Sequence, residues 1–388
     1  MKDKCDRKIN VKRIILIAVC ILLLMLLIAV VCVILYANRI LNKINRVDPN
    51  LEYTLSSSEV DSLLQNDSDM VTLAPGSTDD THVKLDDITF PTEPSGTPTQ
   101  PVTTSPSGTL PGVKPENPAP SLENIYGNHL VNILLIGQDR RPGQGRQRSD
   151  SMILVSINKS NSTITLTSFM RDQYVQIPGY SPNKLNAAYA IGGMKLLSQT
   201  LELNFGVRVD GMVEVDFGGF ENIITLLGGV KVTLTKEEAE YLNGLYNANF
   251  LASPVVVGEN RLDAEQALVY ARLREIDTDY HRANRQRKVI MGLIEAYKDL
   301  PVDQMLSLLD EILPLVTTDM SNAKIFHYAM GCFPMLATAE IQTLRIPLDG
   351  TFVGGMVEVR PGFYGWFQYN IDFEDNKKAL WEVFYRRD

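Results

Sequence analysis

Residues 137–151 read GQDRRPGQGRQRSDS. Four arginines, Arg140, Arg141, Arg146 and Arg148, stand between two aspartates, Asp139 and Asp150, in a chain whose formal net charge is −9. Two carboxylates, completed by waters and a substrate phosphate, are a usual way to hold Mg²⁺. Planar guanidinium groups match phosphate oxygens two at a time. Carboxylates, arginines and a divalent metal (Mg²⁺, with Mn²⁺ as the alternative) together describe a phosphate or pyrophosphate site with Asp139 and Asp150 as candidate metal ligands. Taken alone, the same loop also reads as solvated surface closed by its own salt bridges.

A second cluster lies in LDAEQALVYARLREIDTDYHRANRQRKVIMGLIEAYKDL, residues 262–300. Asp263 and Gln266 make a D-x-x-Q helix start. The helix that follows carries Arg272 and Arg274 near its C-terminal end, and a short acidic loop with Asp277 and Asp279 comes next. The pattern predicts a second helix from about Arg282. Arg282, Arg285 and Gln286 then fall at i, i+3 and i+4 on one face, in a first turn whose free N–H groups favour an anion. Arginines there oppose the helix macrodipole, and a bound phosphate would reconcile them with it. Behind them Val289, Ile290, Leu293, Ile294 and Tyr297 form an apolar stripe that reads as core rather than ligand site.

These charges need elements to bring them together. VNILLIG (131–137), SMILVSIN (151–158) and TITLTSF (163–169) read as strands, the last two joined by the turn KSNS as a hairpin. If the first two are antiparallel neighbours, Asp139 and Asp150 stand at the base of one loop. The third strand then returns to the same rim and ends in SFMRDQY, bringing Arg171 and Asp172 with it. GMVEVDF (211–217) alternates as a strand, and FENIITLLGG (220–229) reads as a helix ending in glycine. Helical patterns recur at 184–203, 263–275 and 283–299. The mixture predicts an α/β fold: an α-β-α sandwich around a mixed sheet, occupying 125–388.

The N-terminal part has another character. Residues 14–36, IILIAVCILLLMLLIAVVCVILY, contain no charge and at ~1.5 Å per residue are long enough to cross a ~30 Å hydrocarbon core. A cleaved signal peptide is the other reading, but its apolar part would be shorter and end in a small-residue cleavage site. Lys2, Lys4, Arg7, Lys8, Lys12 and Arg13 precede the span, against Arg39, Lys43 and Arg46 after it. The positive-inside rule therefore predicts a cytoplasmic tail (1–13), a single transmembrane helix (14–36) and an extracellular remainder. Residues 37–124, rich in Pro, Ser and Thr, read as a flexible extracellular linker, with Val60–Leu64 and Val83–Ile88 as pieces that could fold locally. Of four cysteines only Cys332 would lie outside the membrane and tail, so no disulfide framework is expected. The acidic balance argues against a nucleic-acid partner.

NILLIGQDR, RSDSMILVSIN, SFMRDQYVQIPG, NKLNAAYAIGG, LDAEQALVYARLRE and DYHRANRQR, in this order, resemble the LytR–CpsA–Psr family over roughly 130–300, and the tail to Asp388 resembles the more variable end of the same domain. The resemblance implies a membrane-anchored phosphotransferase that moves a glycopolymer, such as teichoic acid or capsule, from a polyprenyl-pyrophosphate carrier to peptidoglycan. It implies that Asp139 and Asp150 bind Mg²⁺. Arg171, Lys184, Arg272, Arg274, Arg282 and Gln286 would grip the pyrophosphate. Asp279 would orient an arginine or act as a base, with Asp172 or water as alternatives for the proton. The family's lipid tail enters an apolar pocket, for which Phe220, Ile223, Ile224 and Leu227 are candidates, plain core packing being the simpler reading. Met170 stands where the family commonly has proline, and His281 where it commonly has glycine. His281 reads as a helix cap or as an added phosphate donor. A pyrophosphatase on the same site and a non-catalytic wall-polyanion binder are the rival readings. His129, His281 and His327 sit in no nucleophile motif.

Overall fold

The computed structural model describes residues 35–47, 71–72, 83–88, 90, 129–138, 148–298, 300–336 and 338–385. The expected cytoplasmic tail, residues 14–34 of the expected membrane span, most of the expected linker and residues 139–147 lie outside the described residues. Among the described residues, no helix is long and apolar enough to cross a membrane.

The central sheet is built from β1 (Asn45–Arg46), β2 (Leu130–Gln138), β3 (Ser149–Asn158), β4 (Thr163–Phe169) and β5 (Gly211–Asp216). A separate hairpin joins β6 (Val230–Leu234) to β7 (Gly258–Leu262). β8 (Thr317–Thr318) and β9 (Glu340–Ile346) complete the central sheet, whose order is β1-β8-β5-β2-β3-β4-β9. β2, β3 and β4 are antiparallel neighbours, as the spacing predicts, while β5 runs parallel to β2 and β9 parallel to β4. The sheet is therefore mixed.

Period-2 alternation sends the sheet's side chains to two faces. Leu134, Ile136, Met152 and Leu154 face one core, closed by α1 (Leu185–Phe205). Leu135, Ile153 and Val155 face the other side. That side carries α2 (Phe217–Leu226), α3 (Lys236–Asn247), α4 (Ala264–Arg272) and α5 (Asp279–Lys298), which enclose a second core with the β6–β7 hairpin. Ile290 and Met291 of α5 and Met335 of α6 (Asn322–Leu336) lie over β3 and β4. The α-β-α sandwich predicted from the pattern is the observed architecture.

Parts of the chain not read as elements complete it. β10 (Val353–Arg360) and β11 (Phe363–Tyr369) form a side sheet with Val71–Thr72 and Val83–Lys84. Leu85, Ile88 and Phe90 pack there with Tyr174 and Phe367. Pieces of the stretch read as linker thus belong to the folded body. α7 (Phe373–Tyr385) returns to the first core through Leu380 and Phe384.

Two helix starts follow their sequence signals. Asp263 Oδ1 accepts from Gln266 N at 2.9 Å and Gln266 Oε1 from Asp263 N at 3.1 Å, the reciprocal cap of the D-x-x-Q pattern. Thr235 and Glu238 do the same for α3. α5 begins at Asp279, three residues before the expected Arg282, because the Thr278 carbonyl already accepts from His281 N at 3.0 Å and Arg282 N at 3.2 Å. The His281 ring lies 3.1 Å from the Thr278 hydroxyl, a contact between side chains that leaves the free backbone N–H groups of the first turn uncapped by His281.

α5 lies so close to β6 that a Cβ at Gly292 would come within 2.4 Å of the Lys231 carbonyl oxygen. That obstacle is backbone and cannot swing away. Gly292→Val should destabilise the domain by ~1–3 kcal/mol or more through overpacking. A denaturant midpoint equal to wild type would show that α5 can slide on β6 without cost.

Candidate active site

The rim forms where β2 and β3 meet their connecting loop. Gly137 pairs with Ser151, but Gln138 pairs with Ser149, so Asp150 is the extra residue of a β-bulge. A bulge re-aims its side chain, and here it turns Asp150 to the Arg171 guanidinium, which meets its Oδ1 at 3.2 Å. β4 has returned Arg171 to the rim as the strand spacing required. Asp139, with Arg140, Arg141 and Arg146, lies outside the described residues.

Arg171 is held from behind. Its Nε lies 3.4 Å from Asp172 Oδ2, and Asp172 Oδ1 lies 3.0 Å from Lys184 Nζ. Lys184 is 2% exposed and stands 5.0 Å over the Phe367 ring. Asp172 is thus the shared counter-ion of two buried cations. The departure at Met170 has a local consequence: its N–H donates to the Ile346 carbonyl at 2.9 Å, a bond that proline cannot make. It fastens the end of β9 beside the rim.

Asp279 is the hub of the second cluster. Its carboxylate lies 2.8 Å from Arg282, 3.3 Å from Arg274 and 3.8 Å from Arg171. One side chain in the first turn of α5, where the macrodipole favours negative charge, gathers guanidinium groups from three chain segments. Gln286 joins them and donates to the Ala271 carbonyl at 3.3 Å.

Arg285 does not share that face in space. It is 1% exposed, its Nε lies 2.8 Å from Glu238 Oε1 of α3, and it donates to the Leu273 carbonyl at 2.8 Å and to Asp277. Helical rotation of ~100° per residue puts it ~60° to one side of Arg282, towards α3. It fastens the 273–278 loop rather than lining the cavity. Glu238 serves both partners, with Oε2 accepting from Thr235 N at 2.9 Å.

Beneath this rim a cavity of about 830 Å³ runs between the sheet and α2, α4 and α5. Asp150, Arg171, Arg272, Arg274, Arg282 and Gln286 line its charged part. Its interior is apolar, with Leu135, Val213, Leu268 and Leu293 among the walls. Of the pocket candidates, Phe220 and Ile223 line it, whereas Ile224 is fully buried in the second core and Leu227 is not part of the wall. Val289, Ile290 and Leu293, expected as core, line the cavity as well.

Phe217, Glu275 and Tyr241 are among the wall residues that escaped the sequence reading. The Phe217 ring lies 4.5 Å beneath the Arg272 guanidinium, a cation–π contact that sets the plane of that arginine. Glu275 and Tyr241 face each other at the mouth. A hydrogen bond from Arg274 N, at 2.9 Å, holds the Glu275 carboxyl below its usual range, and burial pushes the Tyr241 hydroxyl up. None of the three carries a spacing signal, because each reaches the cavity from a different element. Among the described residues, no group of three or more His, Cys, Asp or Glu could hold a metal ion.

The model of the LytR_cpsA_psr family matches residues 111–362, more than half of the chain. The polyisoprenyl-teichoic acid–peptidoglycan teichoic acid transferase TagT of Bacillus subtilis (strain 168) is 31% identical over 218 residues, 55% of this chain and 66% of TagT. The regulatory protein MsrR of Staphylococcus aureus (strain Mu50) is 30% identical over 232 residues, 59% of this chain and 68% of MsrR. A solved structure of TagT bound to LIIa-WTA matches with a TM-score of 0.51 and 27% identity, covering 66% of this chain and 90% of that one.

Arg285→Met would leave the buried Glu238 and the half-buried Asp277 without their shared cation. Breaking such a pair typically costs ~3–5 kcal/mol, so urea unfolding should show a loss of that order. A loss well under 1 kcal/mol would mean that the 273–278 loop is not held by Arg285.

Proposed function

The chain belongs to the LytR–CpsA–Psr family, and from the geometry of its cavity we propose that it transfers a glycopolymer from a polyprenyl-pyrophosphate carrier to peptidoglycan. One observation carries this reading: an arginine-lined rim stands directly over a deep apolar cavity. A polyprenyl pyrophosphate has an apolar chain and a polyanionic head, and the two parts of the cavity suit the two halves of that one molecule. Similarity to TagT, itself a teichoic acid transferase, supports the same class of reaction.

In this reading Arg171, Arg272, Arg274, Arg282 and Gln286 bind and orient the pyrophosphate; Lys184, expected beside them, is buried behind the cavity wall and acts through Asp172. Asp279 and Asp172 position these cations instead of taking a proton. An acceptor sugar hydroxyl attacks the phosphorus that carries the glycan. The bond from that phosphorus to the bridging oxygen breaks, polyprenyl phosphate leaves, and a phosphodiester joins the glycan to the acceptor. The acceptor's proton passes to water. Such transfer depends mainly on positioning and on neutralising charge in the transition state.

Asp150 supplies the hard oxygen donor that Mg²⁺ requires, at a rim where phosphate oxygens and water would complete the shell. With Asp139 it would hold Mg²⁺ or Mn²⁺, which when bound neutralises phosphate oxygen charge. The basic-flanked apolar span 14–36 would anchor the domain outside the cytoplasmic membrane with the N-terminus inside.

Purified full chain, supplied with a lipid-linked glycan and a peptidoglycan acceptor, should form the phosphodiester only when the acceptor is present. Arg282→Ala or Arg272→Ala should lower that rate by about 10²-fold or more. Near-normal transfer by either variant, or equal donor cleavage without acceptor, would count against the reading. Chelation of divalent cations should stop transfer and Mg²⁺ should restore it; full activity in chelator would remove the metal from the proposal.

A further inference from the structure

Tyr246, Phe250, Val256 and Val257 are exposed apolar side chains lying within one short stretch of chain. Phe250 is 68% exposed, Val256 64% and Val257 62%. The surrounding sequence YLNGLYNANFLASPVVVG, residues 241–258, contains no charged residue.

This loop is built. Two residues past the end of α3, Asn249 lies in the left-handed region at φ 61°. Asn249 N donates to the Tyr246 carbonyl and Phe250 N to the Leu245 carbonyl, both at 2.9 Å. That is the pattern of a Schellman termination, whose last residue usually packs back on the helix; here Phe250 points out. The Asn243 amide holds Val255 by both its N–H and its carbonyl at 2.9 Å. Asn260 holds Val256 in the same way, at 3.0 and 2.7 Å, and donates to the Gly258 carbonyl at 2.8 Å. Gln266 donates to the Ser253 carbonyl at 2.8 Å. Leu251 and Val255 point inward and are buried in the core behind the cavity.

Such a loop has the backbone groups of Val255 and Val256 satisfied by its own protein and the Phe250, Val256 and Val257 side chains held outward. Lipid demands both conditions, because it supplies no hydrogen bonds to an open backbone. A protein or nucleic-acid partner would ordinarily be steered by charge, and residues 241–258 themselves carry none, the nearest in sequence being Glu240 and Glu259 at the two ends. Helix α3 lines the apolar cavity through Tyr241 and Leu245 and leads at its C-terminal end into the exposed loop.

We propose that the 246–257 loop rests in the surface of the lipid bilayer and sets the cavity against the membrane from which its ligand comes. The inference rests on the reading of the cavity as a polyprenyl site. A few side chains give weak, reversible association, so the loop orients an anchored domain instead of recruiting a free one.

The test uses the full chain with Trp366→Phe and Trp381→Phe, so that one introduced indole reports. It is reconstituted into vesicles of phosphatidylcholine and phosphatidylglycerol, with or without bromine on the acyl chains. Val256→Trp, and separately Val257→Trp, should emit at shorter wavelength and be quenched several-fold by the brominated lipid. Leu203→Trp is the control, since Leu203 is 50% exposed on α1 across the sheet. Quenching at 256 and 257 no stronger than at 203 would overturn the proposal. A blue shift without bromine quenching would also overturn it, assigning the face to protein contact. Quenching reads contact with hydrocarbon whether or not transfer occurs. Quenching without transfer therefore fails the functional reading alone, and transfer without quenching fails this inference alone.

Discussion

Guanidinium groups repel one another, and bringing them to the edge of an apolar cavity removes the water that would screen them. The Asp279 carboxylate offsets that repulsion for Arg171, Arg274 and Arg282 together. Arg171 and Arg282 are almost fully buried, so their charges depend on this partner far more than surface pairs do. Asp150 and Asp172 add further negative charge around Arg171. The rim is thus a set of cations prearranged to face outward. An incoming pyrophosphate meets donors already in place, which lowers the ordering cost of binding.

The hub needs its own support. Asp279 stands where it does because α5 starts at that residue, and α5 is fixed by what its next turns touch. Arg285 ties the preceding loop to Glu238 of α3. Arg287 crosses to the other side and donates to the Ser168 hydroxyl of β4 at 2.7 Å. Burial, and then the charge of Arg345, brings its pKa down to about 10. Arg282, Arg285 and Arg287 look in the sequence like one basic cluster. At ~100° per residue they point in three directions, and only Arg282 reaches the rim.

That divergence marks the boundary of what the sequence discloses. The meeting of Asp150 with Arg171 was legible, because two short-range rules suffice: alternation identifies the strands, and tight connections make them antiparallel. The start of α4 was legible from Asp263 and Gln266, which act over three residues. The bulge that aims Asp150 was not, since it depends on a register shift between β2 and β3. Nor was the side sheet, in which Val83–Lys84 pairs with β10 across most of the chain. Long-range pairing of short segments leaves no periodic trace. Phe220 and Ile224 illustrate the same limit at one helix face: both are apolar, yet one lines a cavity and the other a core.

The cavity itself sets a constraint on the two faces of the sheet. The face under α1 is filled by side chains such as Leu134, Leu154, Tyr189 and Leu201. The opposite face leaves about 830 Å³ between β2, β5 and the α2–α5 layer. A sealed, empty apolar void of that size would cost about 20 kcal/mol at the ~24 cal/mol per Å³ measured for core cavities. That exceeds the ~5–15 kcal/mol by which folded domains are ordinarily stable. The walls therefore cannot be a sealed void; the space must be open to solvent or occupied by a molecule, and its arginine-lined rim is where it opens to charge. Apolar walls wetted by water gain most from an apolar occupant. The stiffness to keep such walls apart comes from outside them, from the filled face under α1 and from the polar ties among α3, α4 and α5. A packed half holds a hollow half in shape, and the charges at its edge decide what kind of molecule can fill it.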